Sequence, residues 1–450
     1  MNFIIPCLVA FVLTTILTPP VIRLARACRC LDIPGKRRVH KKITPRWGGM
    51  AFFAGVLPIL FFADAGRVMT SYIAASFLLV GIGIVDDRKE LGWKIKLAGI
   101  AAAATMVIFG GNVVVRDIGA YGPLGRMDLG GFSIPLTYLG IIGVTNAVNL
   151  LDGLNGLAGG VSLLGFLFMG TAAALAGNVP LALICFAFVG ALGAFLRYNF
   201  PDARIFMGDS GSMFLGFSLS ITAVLLTQDA RYPVEPMFPV LALLLPIFDT
   251  LRVMSVRLLS GKNPFRADKT HLHHLIVRKK ISPVHAVLFL WSLTAVFGGI
   301  ALILAERTAA PYLAVALSAT LLLGLFAESL TWRRQARWAA RWETYLRRLR
   351  PRWTRGIHPA QAGGGPVREA AGGAGIEPPA AASLTLLQKF QFQRRSRMSK
   401  DHHGLHGLRG ERSGHLFISV PHHQPRRPVY DRRFHKNAGR HSFHPDTEVW

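Results

Sequence analysis

Eleven apolar runs occupy most of the first 330 residues of this 450-residue chain. They fall at about 2–21, 48–63, 68–85, 95–110, 133–151, 157–177, 179–197, 211–228, 237–256, 283–304 and 309–328. A helix needs roughly 20 apolar residues to cross a bilayer. Many of the runs carry Gly and Pro, which membrane helices tolerate. The expected fold is therefore an all-α integral membrane protein of about eleven transmembrane helices. The first run lacks a basic leading region and a small-residue cleavage site, so it is read as a retained helix rather than a signal peptide.

The formal net charge is +27, of which residues 331–450 contribute +15 (23 Lys/Arg against 8 Asp/Glu) and the membrane part +12. No nucleic-acid motif accompanies this excess, so nucleic acid is not an expected partner. Anionic membrane lipids and phosphorylated substrates explain it more economically. Three regions are expected: a polytopic membrane domain (1–330), a basic amphipathic juxtamembrane segment (331–355) and a tail (356–450). The tail is Gly/Pro-rich, then His/Arg-rich, and reads as disordered and cytoplasmic. Cys7, Cys28, Cys30 and Cys185 have no metal or redox spacing and read as isolated thiols.

Alternate loops differ sharply in charge. The set at about 22–47, 86–94, 197–210 and 257–282 holds 21 Lys/Arg, while the opposite set holds only Arg67, Arg116, Arg126, Arg231 and Arg307. The positive-inside rule makes the rich set cytoplasmic, with the N-terminus outside and the C-terminus inside. The outer segment 111–132 has the Gly, Pro and alternating apolar residues of a small hairpin.

This topology puts four polar motifs at one membrane face. Asp86 and Asp87 end the third run, where they oppose the helix dipole, so a compensating cation such as Mg²⁺ is expected. The alternative is a solvated loop end balanced by Arg88 and Lys89. Asn146, Asn149 and Asp152, spaced by three, share one helix stripe that faces the protein interior or its cavity, the structural alternative being interhelical hydrogen bonds that fix the bundle. Asp152-Gly153 and Asn155-Gly156 then break the helix, opening backbone N–H groups toward a phosphate or a base edge. In Gly208-Asp209-Ser210-Gly211-Ser212, Asp209 or Ser210 is either a helix cap or, for Asp209, a metal ligand. His271, His273 and His274 suit hydrogen bonds to phosphate or sugar, with zinc ligation and plain structural packing the alternatives. The basic loop around Lys41 and Lys42 reads as a positive-inside anchor for most of its charges, with Lys41 or Lys42 the candidates to reach a diphosphate as a point charge.

With these motifs in this order, residues 1–330 resemble the polyprenyl-phosphate N-acetylhexosamine-1-phosphate transferases. The resemblance implies Mg²⁺-dependent attack of undecaprenyl phosphate on the β-phosphorus of a UDP-amino sugar, releasing UMP, in cell-envelope polysaccharide synthesis. Mn²⁺ is the alternative ion, and a homodimer in a bacterial plasma membrane is a further expectation. By motif, Asp86, Asp87, Asp152, His271, His273 and His274 are implied to be catalytic. Asp87, Asn149 and Asp209 are implied to hold metal, and Lys41, Lys42, Asn146, Asn149, Asn155 and Ser210 to meet substrate. Asn155 stands where the family usually has Asp, near the nucleotide. Lys269-Thr270-His271-Leu272-His273-His274 favours a UDP-N-acetylglucosamine-type donor over a UDP-muramoyl-pentapeptide. Three roles stay open for Asp86: base, metal ligand or orienter of a lysine. A transporter would show internal repeats and broken helices at mid-membrane, whereas these motifs sit at helix ends on one face.

Overall fold

In hydrocarbon each backbone N–H and C=O must be paired within the protein, and a helix achieves this inside one segment. The computed structural model obeys that constraint. It describes residues 2–33, 42–63, 66–232, 234–259, 261, 270–304 and 308–349, with side chains as far as Leu330. The tail 356–450 lies outside the described residues, as do Lys41 and most of the loop before Thr270.

The helices are α1 (Ile4–Ala27), α2 (Gly48–Ala63), α3 (Arg67–Lys89), α4 (Trp93–Thr105), α5 (Ser133–Leu151), α6 (Leu157–Leu175) and α7 (Val179–Asn199). There follow α8 (Gly208–Thr227), α9 (Met237–Ala242), α10 (Leu244–Leu259), α11 (Leu272–Arg278), α12 (Pro283–Ile303) and α13 (Ala309–Leu349). Among the described residues, nine helical stretches are long and apolar enough to cross a membrane. The 16-residue α2 and the pair α9–α10 account for the other two apolar runs.

Two boundaries differ from the sequence reading. The run 237–256 is not one helix, because the chain breaks at Leu243 between α9 and α10. Pro246 has no N–H to continue a helix from α9, yet it is tolerated in the first turn of α10, where that donor is not needed. Conversely, α1 does not stop near residue 21 but passes Pro19 and Pro20 to reach Ala27. Pro19 leaves the Thr15 carbonyl without its helical donor, and Tyr198 Oη of α7 supplies one at 3.3 Å.

The centre of the bundle is α8. In its most apolar stretch 89% of the residues are buried, against 17% for α1. It packs on α2, α3, α5 and α6. Small residues allow this: Gly216 lies against the Thr145 backbone of α5, and Gly211 against Gly49 of α2. Tyr72 Oη of α3 donates to Ser218 Oγ of α8 at 2.7 Å, a buried interhelical hydrogen bond. Phe52, Phe53, Phe195 and Phe214 fill the space between α2, α7 and α8, with Phe53 edge-on to Phe214 at 4.9 Å.

Two short antiparallel pairs decorate the helices. β1 (Leu31–Asp32) pairs with β2 (Thr44–Pro45), and β3 (Asp117–Ala120) with β4 (Arg126–Asp128). The second is the hairpin expected in 111–132. The basic segment after Leu330 continues α13 as unbroken helix to Leu349.

Candidate active site

The C-terminal ends of α3 and α5 meet the N-terminal ends of α4 and α8. Gly208 makes the approach feasible: its φ of +74° starts α8, and a Cβ there would strike the Asp87 carboxylate. The first N–H groups of α8 lack a local side-chain cap. Asp87 supplies one from α3. Its Oδ1 accepts the Asp209 N–H at 2.8 Å, and its Oδ2 accepts the Ser210 N–H at 3.3 Å and the Ser210 hydroxyl at 3.0 Å. Neither Asp209 nor Ser210 is therefore the helix cap. Ser210 is fully buried and its hydroxyl donates to Asp87 Oδ2.

The neighbouring carboxylates gather around one ammonium. Lys96 Nζ of α4 donates to Asp209 Oδ2 at 2.6 Å and to Asp86 Oδ2 at 3.3 Å. Asn149 Nδ2 of α5 donates to Asp209 Oδ1 at 2.9 Å and to Ser212 Oγ at 2.8 Å. Asp86 Oδ1 is buried with no hydrogen-bond partner. The acidic end of α3 is thus compensated twice, by the N-terminus of α8 and by Lys96. Asn146, half-buried one turn before Asn149, is not part of this hydrogen-bonded set. Nor is Lys42, which is exposed.

The chain between α1 and α2 braces the cluster. Cys30 Sγ donates to the Asp87 carbonyl at 3.4 Å and Trp47 Nε1 to the Ile84 carbonyl at 3.3 Å, satisfying acceptors in the last turns of α3. Backbone bonds from Phe206 to Pro45, Gly48 to Phe206 and Gly49 to Met207 stitch the same loop to the entry of α8.

Asp152 follows α5 and faces Asp209, Asp87 and Arg46 electrostatically. The residue as a whole is exposed. Desolvation of its carboxyl, then the like charges of Asp209 and Asp87, push it up to about 7 against the pull of Arg46. Asp152 therefore gains its charge between about pH 6 and 8. Turnover should rise over that window, and Asp152→Asn should flatten the rise. A wild-type pH profile in the variant would assign the titration to another group.

Asn155 Nδ2 donates to the Pro201 carbonyl at 2.9 Å, a bond that an ionised Asp has no proton to make. Asn199 accepts from the Gly156 N–H at 2.7 Å and donates to the Ile205 carbonyl at 2.9 Å, so the turn 152–156 is fixed to the segment leading into α8.

α11 docks on this turn. His273 is 1% exposed, and its Nε2 abuts Gly153. Burial, helped by His274, holds the His273 pKa down at about 3, so the ring stays neutral. The rings of His271 and His273 are 6.0 Å apart and those of His273 and His274 4.2 Å. His271 is bound to Asp249 of α10. Among the described residues, no three His, Cys, Asp or Glu side chains form a ready-made metal shell.

Lys96, Asp249 and Arg252 were missed from sequence although each lies inside or at the edge of an apolar run, where an ionisable residue is itself a signal. Their partners are 113, 22 and 3 residues away, and only folding reveals them.

Residues 69–227 match the sequence profile described as glycosyl transferase family 4. That stretch contains every member of the carboxylate cluster. Over 313 residues the chain is 35% identical to a Bacillus subtilis (strain 168) protein named a probable undecaprenyl-phosphate N-acetylglucosaminyl 1-phosphate transferase, covering 68% of this chain and 86% of that protein. It is 32% identical over 333 residues to the Yersinia pestis undecaprenyl-phosphate alpha-N-acetylglucosaminyl 1-phosphate transferase, covering 71% and 89%. The Escherichia coli O157:H7 protein of the same name is 31% identical over 273 residues, covering 60% and 74%.

Proposed function

The chain belongs to glycosyl transferase family 4, and on that premise we propose that it moves N-acetylglucosamine-1-phosphate from a UDP-sugar to undecaprenyl phosphate, releasing UMP. The observation that carries this reading is the cluster of Asp86, Asp87, Lys96, Asn149 and Asp209 at one end of a membrane bundle. Phosphoryl transfer asks for alignment and charge neutralisation more than for covalent help from the protein.

An oxygen of the lipid phosphate bonds to the β-phosphorus, and the bond from that phosphorus to the bridging oxygen breaks, leaving UMP. A phosphomonoester has its second pKa at about 6, so the acceptor is already largely ionised at neutral pH. No protein base is needed to create the nucleophile. Lys96 neutralises negative charge where donor and acceptor phosphates meet. Asp86 orients Lys96 through Oδ2, while its Oδ1 stays available as a metal ligand, so these two of the three open roles are compatible. Asp87 fixes the first turn of α8, and so the direction of Asp209. The turn 152–156 and the histidines of α11 flank the nucleotide sugar.

The residues also fit a divalent cation. Hard oxygens converge, Asp86 Oδ1 is a buried acceptor without a donor, and the Lys96 ammonium marks a place where positive charge is stable between two carboxylates. Mg²⁺ takes one or two carboxylates and fills its other positions with water and substrate phosphates. Asp209, Asn149 and Asp86 are the ligands we propose. Asp87, expected to join them, has both oxygens engaged by α8 and supports Asp209 from behind. When bound, Mg²⁺ neutralises diphosphate oxygens.

The assay is UMP release and lipid product from membranes holding this protein, undecaprenyl phosphate and Mg²⁺. UDP-N-acetylglucosamine should be used, and UDP-N-acetylmuramoyl-pentapeptide should not. Lipid product from the pentapeptide donor alone would move the chain to another branch of the family.

The lopsided loop charge supports an orientation with the site on the cytoplasmic face of the membrane. In a background lacking the native cysteines, Arg67→Cys and Arg116→Cys should react with an impermeant thiol reagent on intact cells. Lys89→Cys, Arg204→Cys and Lys279→Cys should not. Labelling of Lys279→Cys from outside would separate the histidines from the cytoplasmic face.

A further inference from the structure

Asp249 stands apart from the carboxylate cluster, 3% exposed in α10. A carboxylate buried there is costly unless its oxygens are occupied. Oδ2 pairs with His271 Nδ1 at 2.9 Å, and Oδ1 accepts the Leu272 N–H at 2.8 Å and Arg252 Nη2 at 3.1 Å. Arg252 also donates to the Thr270 carbonyl, so the residues on both sides of His271 are tied to α10.

An ionised carboxylate only accepts hydrogen bonds. The proton shared with His271 therefore sits on Nδ1, and in the neutral ring Nε2 becomes an acceptor. His271 Nε2 is buried without a partner, and so are both ring nitrogens of His273. The His273 ring in turn abuts Gly153, next to Asp152. Unpartnered nitrogens thus gather where α11 meets the 152–156 turn.

We propose that Asp249 is a positioning residue that holds His271 in its Nδ1–H form, so that Nε2 accepts a hydrogen bond from a hydroxyl or amide N–H of the nucleotide sugar. This rests on the transferase reading above. Arg252 and the N–H of Leu272 keep the carboxylate itself from turning.

The decisive variant is Asp249→Asn. Its oxygen still accepts from Leu272, but its amide donates to His271 Nδ1 and forces the proton to Nε2. Nitrogen-15 NMR of histidine-labelled full-length protein in lipid nanodiscs reads this directly. The His271 pattern should be Nδ1–H in the wild type and Nε2–H in Asp249→Asn. With UDP-N-acetylglucosamine, kcat/KM should fall about a hundredfold in Asp249→Asn, in the range of lost supporting hydrogen bonds. In a His271→Ala background the same change should cost less than about threefold, because the pair acts as one unit.

Nε2–H in the wild type, or additive losses in the double variant, would overturn the proposal. So would failure of Asp249→Asn to insert at normal abundance, which would make Asp249 a folding residue. Wild-type membranes that release no UMP from any UDP-sugar would sink the transferase reading instead, and the NMR comparison would still decide what Asp249 does to His271.

Discussion

Asp209→Asn should reduce turnover on the order of a thousandfold, which corresponds to about 4 kcal/mol of lost transition-state stabilisation. The wild-type carboxylate receives Lys96 on one oxygen and Asn149 on the other. An amide of the same shape has only one acceptor. Whichever way it turns, its NH₂ faces a second donor, either the Lys96 ammonium or the Asn149 amide. The variant therefore loses a charge and gains a donor–donor clash in the centre of the site. Packing volume is unchanged, so insertion and abundance should stay near wild type. The measurement is turnover against Mg²⁺ concentration at matched protein level. Near-normal turnover with an unaltered Mg²⁺ response would remove Asp209 from the charge centre.

Gly83→Ala should cost about a hundredfold in turnover while Gly81→Ala, two residues earlier on the same helix, should be close to neutral. A Cβ on Gly83 would fall onto the backbone of Ser210, whereas one on Gly81 meets nothing within 4 Å. Backbone cannot rotate aside as a side-chain tip can. The first turn of α8 must shift, and Asp209 and the Asp87 hydrogen bonds shift with it. A displacement of about 1 Å in a reacting constellation is enough for a hundredfold loss. Overpacking should also lower thermal stability by about 1–3 kcal/mol. Turnover and thermal unfolding in detergent read the two effects. Equal behaviour of the two alanines would show that α3 and α8 have room to separate.

The same close approach explains part of what the sequence hides. Gly83 and Gly49 look like ordinary helix glycines in apolar runs, yet they flank the start of α8 from two sides. Asp87 looks like half of an acidic pair awaiting a cation. In the fold it receives N–H donors from residues 122 and 123 positions further on. Ser210 looks like a helix cap or a substrate contact, and instead serves Asp87. Asn155 looks like a weakened version of an acidic residue, and in the fold it needs its NH₂ for the Pro201 carbonyl.

Local pattern was sufficient for the helices. Apolar runs of that length leave the backbone no other way to pair its polar groups in lipid, so their positions and most of their boundaries followed from composition along the chain, although nine rather than eleven described stretches are long and apolar enough to cross a membrane. Two of the differing boundaries lie at prolines. Pro246 separated α9 from α10, while Pro19 was carried through α1 because Tyr198, on another helix, covers the carbonyl it frees. The polar motifs at helix ends were equally legible, since ionisable groups stand out against hydrocarbon. Tertiary structure alone decided their partners: Lys96 between Asp86 and Asp209, Asp87 on the first turn of α8, and Asp249 on His271. Helical periodicity records which face a residue occupies, but a hydrogen bond needs donor and acceptor within about 3 Å. Between helices that distance is fixed by how closely their small residues let them pack.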